Sequence, residues 1–340
     1  MKFELPYTAG IKPYIDTLSP GIRSNISDIY FSDSRLSTSA RYMWYDQEDG
    51  EDDKWLELLS LKELYGIELH YVINPSVWKN DSYTADGIDK LKGILDKVWK
   101  KGCTWLTINN PLLLRMEEFR TDIPPFKIKL SINNHISSLE EVQFAYEQTQ
   151  LRHFVLDRRI NRDFDELERI SNWLSDQEGT SITLLAQESC LPDCQWKAVC
   201  DNMISTYHMS DMHEVNDLQN IHNVNLCSSH YESGKPQDIF KSPFILPSMV
   251  SRYDDVVDYI KLAGRERSIT EFFNTIHNYL TGSDDISIHK LLPKASTSLN
   301  GYNLVALNEH GAGTKWLNCK SRCADCDFCD RLYTNIIDGR

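Results

Sequence analysis

Long apolar runs are missing: no stretch of this 340-residue chain is apolar for long enough to cross a membrane. The opening MKFELPYTAG has no apolar run behind its lysine, so no secretory leader is expected and the cytoplasm is the expected compartment. Basic residues are scarce. The chain has 36 Lys and Arg against 50 Asp and Glu, a formal net charge of −14. A broad basic face is thereby excluded, and nucleic acid is not an expected partner unless a local basic cleft provides for it. Neither a Ser/His/Asp arrangement nor HExxH marks the chain for peptide hydrolysis. A disulfide framework is also not expected, because the nine cysteines are an odd count in a chain with no export signal. Low-complexity segments are absent, and nothing repeats beyond a strand–helix rhythm.

What remains is enough for a core. Hydrophobic residues make up 41%. Short apolar runs recur as candidate strands at 28–31 (DIYF), 68–74 (ELHYVIN), 103–110 (CTWLTINN) and 126–133 (FKIKLSIN). Others follow at 153–157 (HFVLD), 182–188 (ITLLAQE), 243–248 (PFILPS) and 259–265 (YIKLAGR). Helical patterns lie between them at 55–65, 85–101, 138–148, 163–176 and 268–280. The run Ser138-Leu139-Glu140-Glu141 reads as a capping box. Strand–helix alternation implies parallel units, and eight of them imply a closed (β/α)8 TIM-type barrel. The barrel is expected over 1–281, followed by a cysteine-rich tail at 282–340. Residues 187–242 form a long connection between the sixth and seventh strands without clear periodicity, which points to a functional insertion. The acidic stretch 46–53 reads as a solvated loop.

Eight of the nine cysteines lie at or beyond Cys190, in two groups. The tail group is Cys319, Cys323, Cys326 and Cys329, spaced x3, x2, x2. Thiolates two residues apart turn back onto one centre, so metal is the expected ligand. A single iron–sulfur cluster and a four-cysteine zinc site both fit. The second group is Cys190, Cys194, Cys200 and Cys227. Its first two members follow the sixth candidate strand, at the end of the barrel where such folds place their chemistry. Cys200 reads equally as a ligand or as a buried structural thiol. Cys103, mid-strand, reads as core.

Several motifs carry a family resemblance. They are Asp28-Ile29-Tyr30-Phe31 followed by Arg35 and Arg41, then Leu130-Ser131-Ile132-Asn133, and Phe154-Val155-Leu156-Asp157-Arg158 with Phe164-Asp165-Glu166-Leu167. The Cys190 and Cys194 pair and the run Ile260-Lys261-Leu262-Ala263-Gly264-Arg265-Glu266-Arg267-Ser268 complete the set. Over residues 28 to 280 the chain resembles the collagenase-like peptidase family of unknown catalytic type. That family includes oxygen-independent hydroxylation proteins of ubiquinone and RNA. The resemblance implies a (β/α) barrel with a four-cysteine [4Fe–4S] cluster at its mouth and a substrate modified there. The chain departs from the family where Gln187-Glu188 replaces a usual histidine, in its compressed cysteine spacing, and in the tail motif.

If the strand ends are placed correctly, a polar ring surrounds the mouth: Arg35, Asn74, Asn109, Asn133, His135, Asp157, Arg158, Glu188, Arg265 and Arg267. Glu188 and His135 are the acid–base candidates. Arg35 and Arg265 are forks suited to an anionic small-molecule or peptide substrate. Arg158 and Arg267 are expected beside the cofactor. His208, His213, His222 and His230 read as loop residues. The leading expectation is an iron–sulfur redox enzyme with one or two clusters, served by an electron donor or partner protein. Two rivals stay open. Cys319-x3-Cys323-x2-Cys326 has the spacing of the radical S-adenosylmethionine cluster motif, where one open iron would take that cofactor. Alternatively, the tail holds zinc and the protein only binds.

Overall fold

Each of the eight strands hydrogen-bonds in parallel to the next in sequence, and the last returns to the first to close a barrel. The computed structural model describes residues 1–32, 51–78, 80–191, 194–209, 226–264, 268–292, 294–320 and 322–339. The strands are β1 Lys2–Pro6, β2 Ile26–Phe31, β3 Glu68–Ile73, β4 Trp105–Ile108, β5 Lys127–Leu130, β6 His153–Val155, β7 Ser181–Leu185 and β8 Tyr259–Lys261.

The expected strand at 243–248 is not one. Phe244, Ile245 and Leu246 are buried, but the segment runs irregularly into a 3-10 turn, Pro247–Tyr253. Its two prolines remove ladder donors. The eighth strand is instead the opening KFELP, whose charged centre hides it. Glu4 is fully buried and faces the lumen.

Alternation along each strand separates two faces. Phe3, Leu5, Ile29, Phe31, Leu69, Tyr71, Ile73, Leu106 and Ile108 join the hydrophobic core under the helices. The other register holds Glu4, Asp28, His70, Thr107, Lys129 and Thr183, all buried. Barrels of this class usually fill the lumen with branched aliphatics; this lumen is ionic.

The helices are α1 Ile11–Thr17, α2 Pro20–Arg23, α3 Glu51–Tyr65, α4 Ala85–Lys100, α5 Glu117–Asp122, α6 Leu139–Thr149, α7 Phe164–Ser175, α8 Lys197–Met209, α9 Leu226–Ser233 and α10 Ile269–Thr281. The amphipathic stripe of α4 buries Ile88, Leu91, Leu95 and Val98, and Thr84 caps its first turn. Ser138 caps α6 as expected, but Glu141 reaches back to the Ser137 amide instead of to Ser138. Gly282 ends α10 in the left-handed region, where a Cβ would be strained. Two helices, α8 and α9, lie in the connection that lacks sequence periodicity.

The tail carries α11 Ile288–Leu291, α12 Leu304–Glu309, α13 Ala312–Trp316 and α14 Phe328–Asp338. Its Leu291, Leu304, Leu307, Leu332 and Ile336 share one continuous core with the barrel. Among the described residues no helix is long and apolar enough to cross a membrane.

Candidate functional site

The connection after β7 is pinched shut at its base. Asn161, fully buried, donates from Nδ2 to the carbonyls of Leu185 and Pro243, both at 2.8 Å. The Ile245 amide donates to the Ala186 carbonyl at 3.0 Å, and the Ser242 hydroxyl donates to the Glu188 carbonyl at 3.0 Å. The chain leaves β7 and returns at one point, so the described parts of this connection, 187–191, 194–209 and 226–242, are anchored at the C-terminal end of the barrel.

Inside that loop the four expected cysteines gather. Cys190 stands against Cys227, and Cys194 interacts electrostatically with both Cys227 and Cys200. The contact holds the Cys190 thiol well up and, with help from Lys294, the Cys227 thiol down. Two cations flank the site. Arg158 Nη1 and Lys294 Nζ each stand 3.8 Å from the Cys190 sulfur. Thiolates and metal-bound thiolates gain from such neighbours.

Glu188 holds the approach to Cys190. One of its oxygens accepts from the Cys190 amide at 2.8 Å, and the other accepts from Arg158 Nη1 at 2.6 Å. Burial raises its pKa, but Arg158, Lys197 and Lys294 outweigh that and lower it to about 2.

His135 lies on the opposite wall. It occupies the left-handed region at φ 56°, rare for a residue with a side chain. Its Nδ1 meets Asp157 Oδ2 at 2.9 Å, and its Nε2 faces Asp201 Oδ2 at 4.0 Å. Burial would raise the Asp157 pKa, but His135, the Arg159 amide and the two arginines hold it well below the ordinary carboxylate range. Asp157 thereby fixes the orientation of the His135 ring through Nδ1. Between the walls is a cavity of about 450 Å³ lined by His135, Asp157, Arg158, Arg159, Cys190, Leu191, Cys194, Gln195, Lys197 and Ala198. Lys197 is also paired with Asp201.

The mouth ring is knit together: Asn133 donates to the Asn74 carbonyl at 3.2 Å, and Asn109 donates to the Pro75 carbonyl at 2.9 Å. His230 pairs with Asp238 at 2.6 Å. Arg35, Arg41, Arg265 and Arg267 lie outside the described residues, as do His213 and His222. Cys103 is buried, its thiol 3.0 Å from the Leu69 carbonyl. Cys319, Cys323 and Cys329 collect at a second place, around Arg162.

Sequence reasoning missed Lys294, Asn161, Arg162, Asp201 and the lumen network. Lys294 is a lone lysine more than 100 residues from its partner, so no local pattern marks it. The lumen residues had an available signal, because charged residues inside apolar strands are rarely left unpaired.

The arrangement defines a class: a closed parallel (β/α)8 barrel whose mouth is roofed by a cysteine-bearing loop. In sequence the chain is similar to an uncharacterized protease of Methanocaldococcus jannaschii, MJ1657, at 25% identity over 273 residues, covering 80% of this chain and 78% of that protein. In structure it is similar to the U32 peptidase Mk0906, with a TM-score of 0.52 at 11% identity, covering 78% of this chain and 93% of that one. The structural likeness shows a shared barrel fold. No family model matches the chain.

Proposed function

We propose that this protein is an iron–sulfur enzyme of a reducing, cytoplasmic setting that modifies an anionic small molecule or peptide at the barrel mouth without using dioxygen. The observation that carries this reading is the gathering of Cys190, Cys194, Cys200 and Cys227, contributed by separate parts of one loop, with Cys190 and Cys194 lining a 450 Å³ cavity. The donor set fits a [4Fe–4S] cluster: four thiols, two nearby cations, and a pocket open to substrate.

A bound cluster would supply one-electron chemistry, or an iron able to hold a substrate oxygen. The protein's own residues do the rest. Glu188 and Arg158 fix the Cys190 loop. Asp157 orients His135, whose Nε2 takes or returns a proton in the cavity. Arg159 and Lys197 offer positive charge to an anionic substrate. In a hydroxylation without dioxygen, water would supply the oxygen atom, and the two electrons leaving the substrate would pass to a partner electron acceptor. Hydroxylation is the expected redox reaction.

Iron and acid-labile sulfide analysis of oxygen-free protein tests the reading. The Cys190→Ala/Cys194→Ala double variant should lose about one cluster's worth of iron. Unchanged iron in a folded double variant sinks the mouth site.

A second reading rests on the protease names of the two similar proteins and on His135 sharing the cavity with Cys190. On this reading a cysteine thiolate attacks a peptide carbonyl while His135 handles the proton. Peptide cleavage by iron-free protein, abolished by iodoacetamide, would select it.

A further inference from the structure

Arg162 is buried to 3% exposure yet has no carboxylate partner among the described residues. Its Nη1 donates to the Phe240 carbonyl at 2.8 Å and its Nη2 to the Phe244 carbonyl at 3.1 Å, while its Nε has no hydrogen-bond partner. The guanidinium lies against two apolar rings, 3.9 Å from the Trp316 centroid and 5.0 Å from that of Phe244, which meet each other edge-on. A cation in such a place is unfavourable unless an anion answers it.

The tail brings candidate anions to this spot. Asn318 pairs antiparallel with Asp163, which sets Cys319 beside Arg162. The Cys329 sulfur, at the start of α14, lies 3.5 Å from the Phe240 carbonyl that Arg162 also binds. Cys323 opens a 3-10 turn whose closing bond runs from the Cys326 amide to the Cys323 carbonyl at 3.4 Å. The charge of Arg162 interacts with Cys329, Cys319 and Cys323. The carboxylates that follow it in sequence, Asp163 and Asp165, pair with Lys320.

We propose that Cys319, Cys323, Cys326 and Cys329 hold a second metal centre, separate from the one at the barrel mouth, and that Arg162 is its buried counter-ion. Metal binding removes the four thiol protons. Four thiolates around a divalent core, zinc or a [4Fe–4S]2+ cluster, carry a net charge of −2. The buried +1 of Arg162 offsets part of it. The buried cation gains an anion beside it, and the half-exposed thiolates gain a cation. Cys329 supplies a fourth thiolate, so no coordination position stays open for a chelating cosubstrate. The centre is therefore a structural or electron-carrying one.

The test uses the full chain, purified without oxygen and assayed for zinc, iron and sulfide. The Cys323→Ala/Cys326→Ala variant should lose one centre, either one zinc or four iron with four sulfides, while the metal lost in Cys190→Ala/Cys194→Ala is retained. The lost element identifies the occupant. Arg162→Met keeps length but removes charge; a chelator should strip the tail metal from it about 10- to 100-fold faster, and Arg162→Lys should recover part of that. Full metal content in the folded tail double variant overturns the site. Unchanged release from folded Arg162→Met overturns the counter-ion. If added S-adenosylmethionine alters the tail cluster's electron paramagnetic resonance signal, a closed four-thiolate site is overturned as well. Because each cysteine pair is tested apart, the mouth reading and this one fail separately.

Discussion

Lys129 and Glu4 stand on β5 and β1, on opposite sides of the eight-stranded ring, and their side chains meet across the lumen in a fully buried ion pair. Thr183 binds both, accepting from Lys129 Nζ at 3.2 Å and donating to Glu4 Oε1 at 3.0 Å. The ammonium also lies 4.1 Å from the Tyr259 ring centroid and 4.7 Å from that of Trp105. Removing one partner leaves a charge with no water to receive it. Lys129→Met should therefore cost about 3–5 kcal/mol, whereas the Lys129→Met/Glu4→Gln double variant should recover most of that loss. Urea denaturation of the four proteins closes the cycle. Single and double variants of equal stability would show that the pair does not brace the barrel.

That pair also explains which parts of the fold were legible in the sequence. Seven strands and their helices could be read because each shows an apolar run of strand length or a helical stripe, as in α4 and α10. β1 could not be read, because KFELP places Glu4 in the lumen, and its charge partner is 125 residues away. The run at 243–248 misled for the opposite reason. It is apolar because it seals the loop base against the core, where Tyr279 donates to the Ile245 carbonyl at 2.7 Å. Of the site, the cysteines and the His135–Asp157 region were legible from spacing and from position after predicted strands. Asn161, Arg162 and Lys294 act through contacts distant in sequence, which a one-dimensional pattern cannot encode.

Asn161 makes a sharper test of the loop base. Its single amide group bridges the carbonyls before and after the 187–242 segment. Asn161→Ala leaves both carbonyls buried without that donor, which should cost about 1–3 kcal/mol. If the pinch positions the mouth cysteines, the variant should also surrender mouth iron to a chelator faster than the parent does. A destabilised variant with parental iron release would confine Asn161 to holding the fold.

Acid should weaken the barrel through two histidines. His153 packs edge-on to Trp105 at 4.8 Å between ring centroids and meets the Ser181 hydroxyl at 2.8 Å; burial, then Lys129 and Lys127, lower its pKa from 6.5 to about 4. His70 is likewise held well below the ordinary histidine value, chiefly by burial. In both, the folded state binds fewer protons than the unfolded chain between the lowered value and 6.5. Their contribution is thus complete above pH 6.5 and is lost as pH falls toward 4. For His153, partly exposed, the loss should be about 1–3 kcal/mol. Denaturation midpoints should fall across that window in the parent and fall less steeply in His153→Gln. An identical slope in the variant would assign the acid sensitivity elsewhere.

The last prediction concerns Arg158 and Glu188, both buried and joined at 2.6 Å beside Cys190. The pair has two separable duties. One is electrostatic: Arg158→Met strands the Glu188 carboxylate and should cost about 3–5 kcal/mol, as should Glu188→Gln by stranding Arg158. The other is positional, because only Glu188 also holds the Cys190 amide, at 2.8 Å. Gln keeps an acceptor for that amide and Ala does not. Glu188→Gln should therefore keep iron at the mouth while losing stability, and Glu188→Ala should lose both. Arg158→Met in turn removes a cation 3.8 Å from the Cys190 sulfur, which should shift the potential of a cluster bound there to a lower value. Iron analysis and potentiometry on the three variants distinguish these outcomes. Equal iron in Glu188→Gln and Glu188→Ala would remove Glu188 from the support of Cys190.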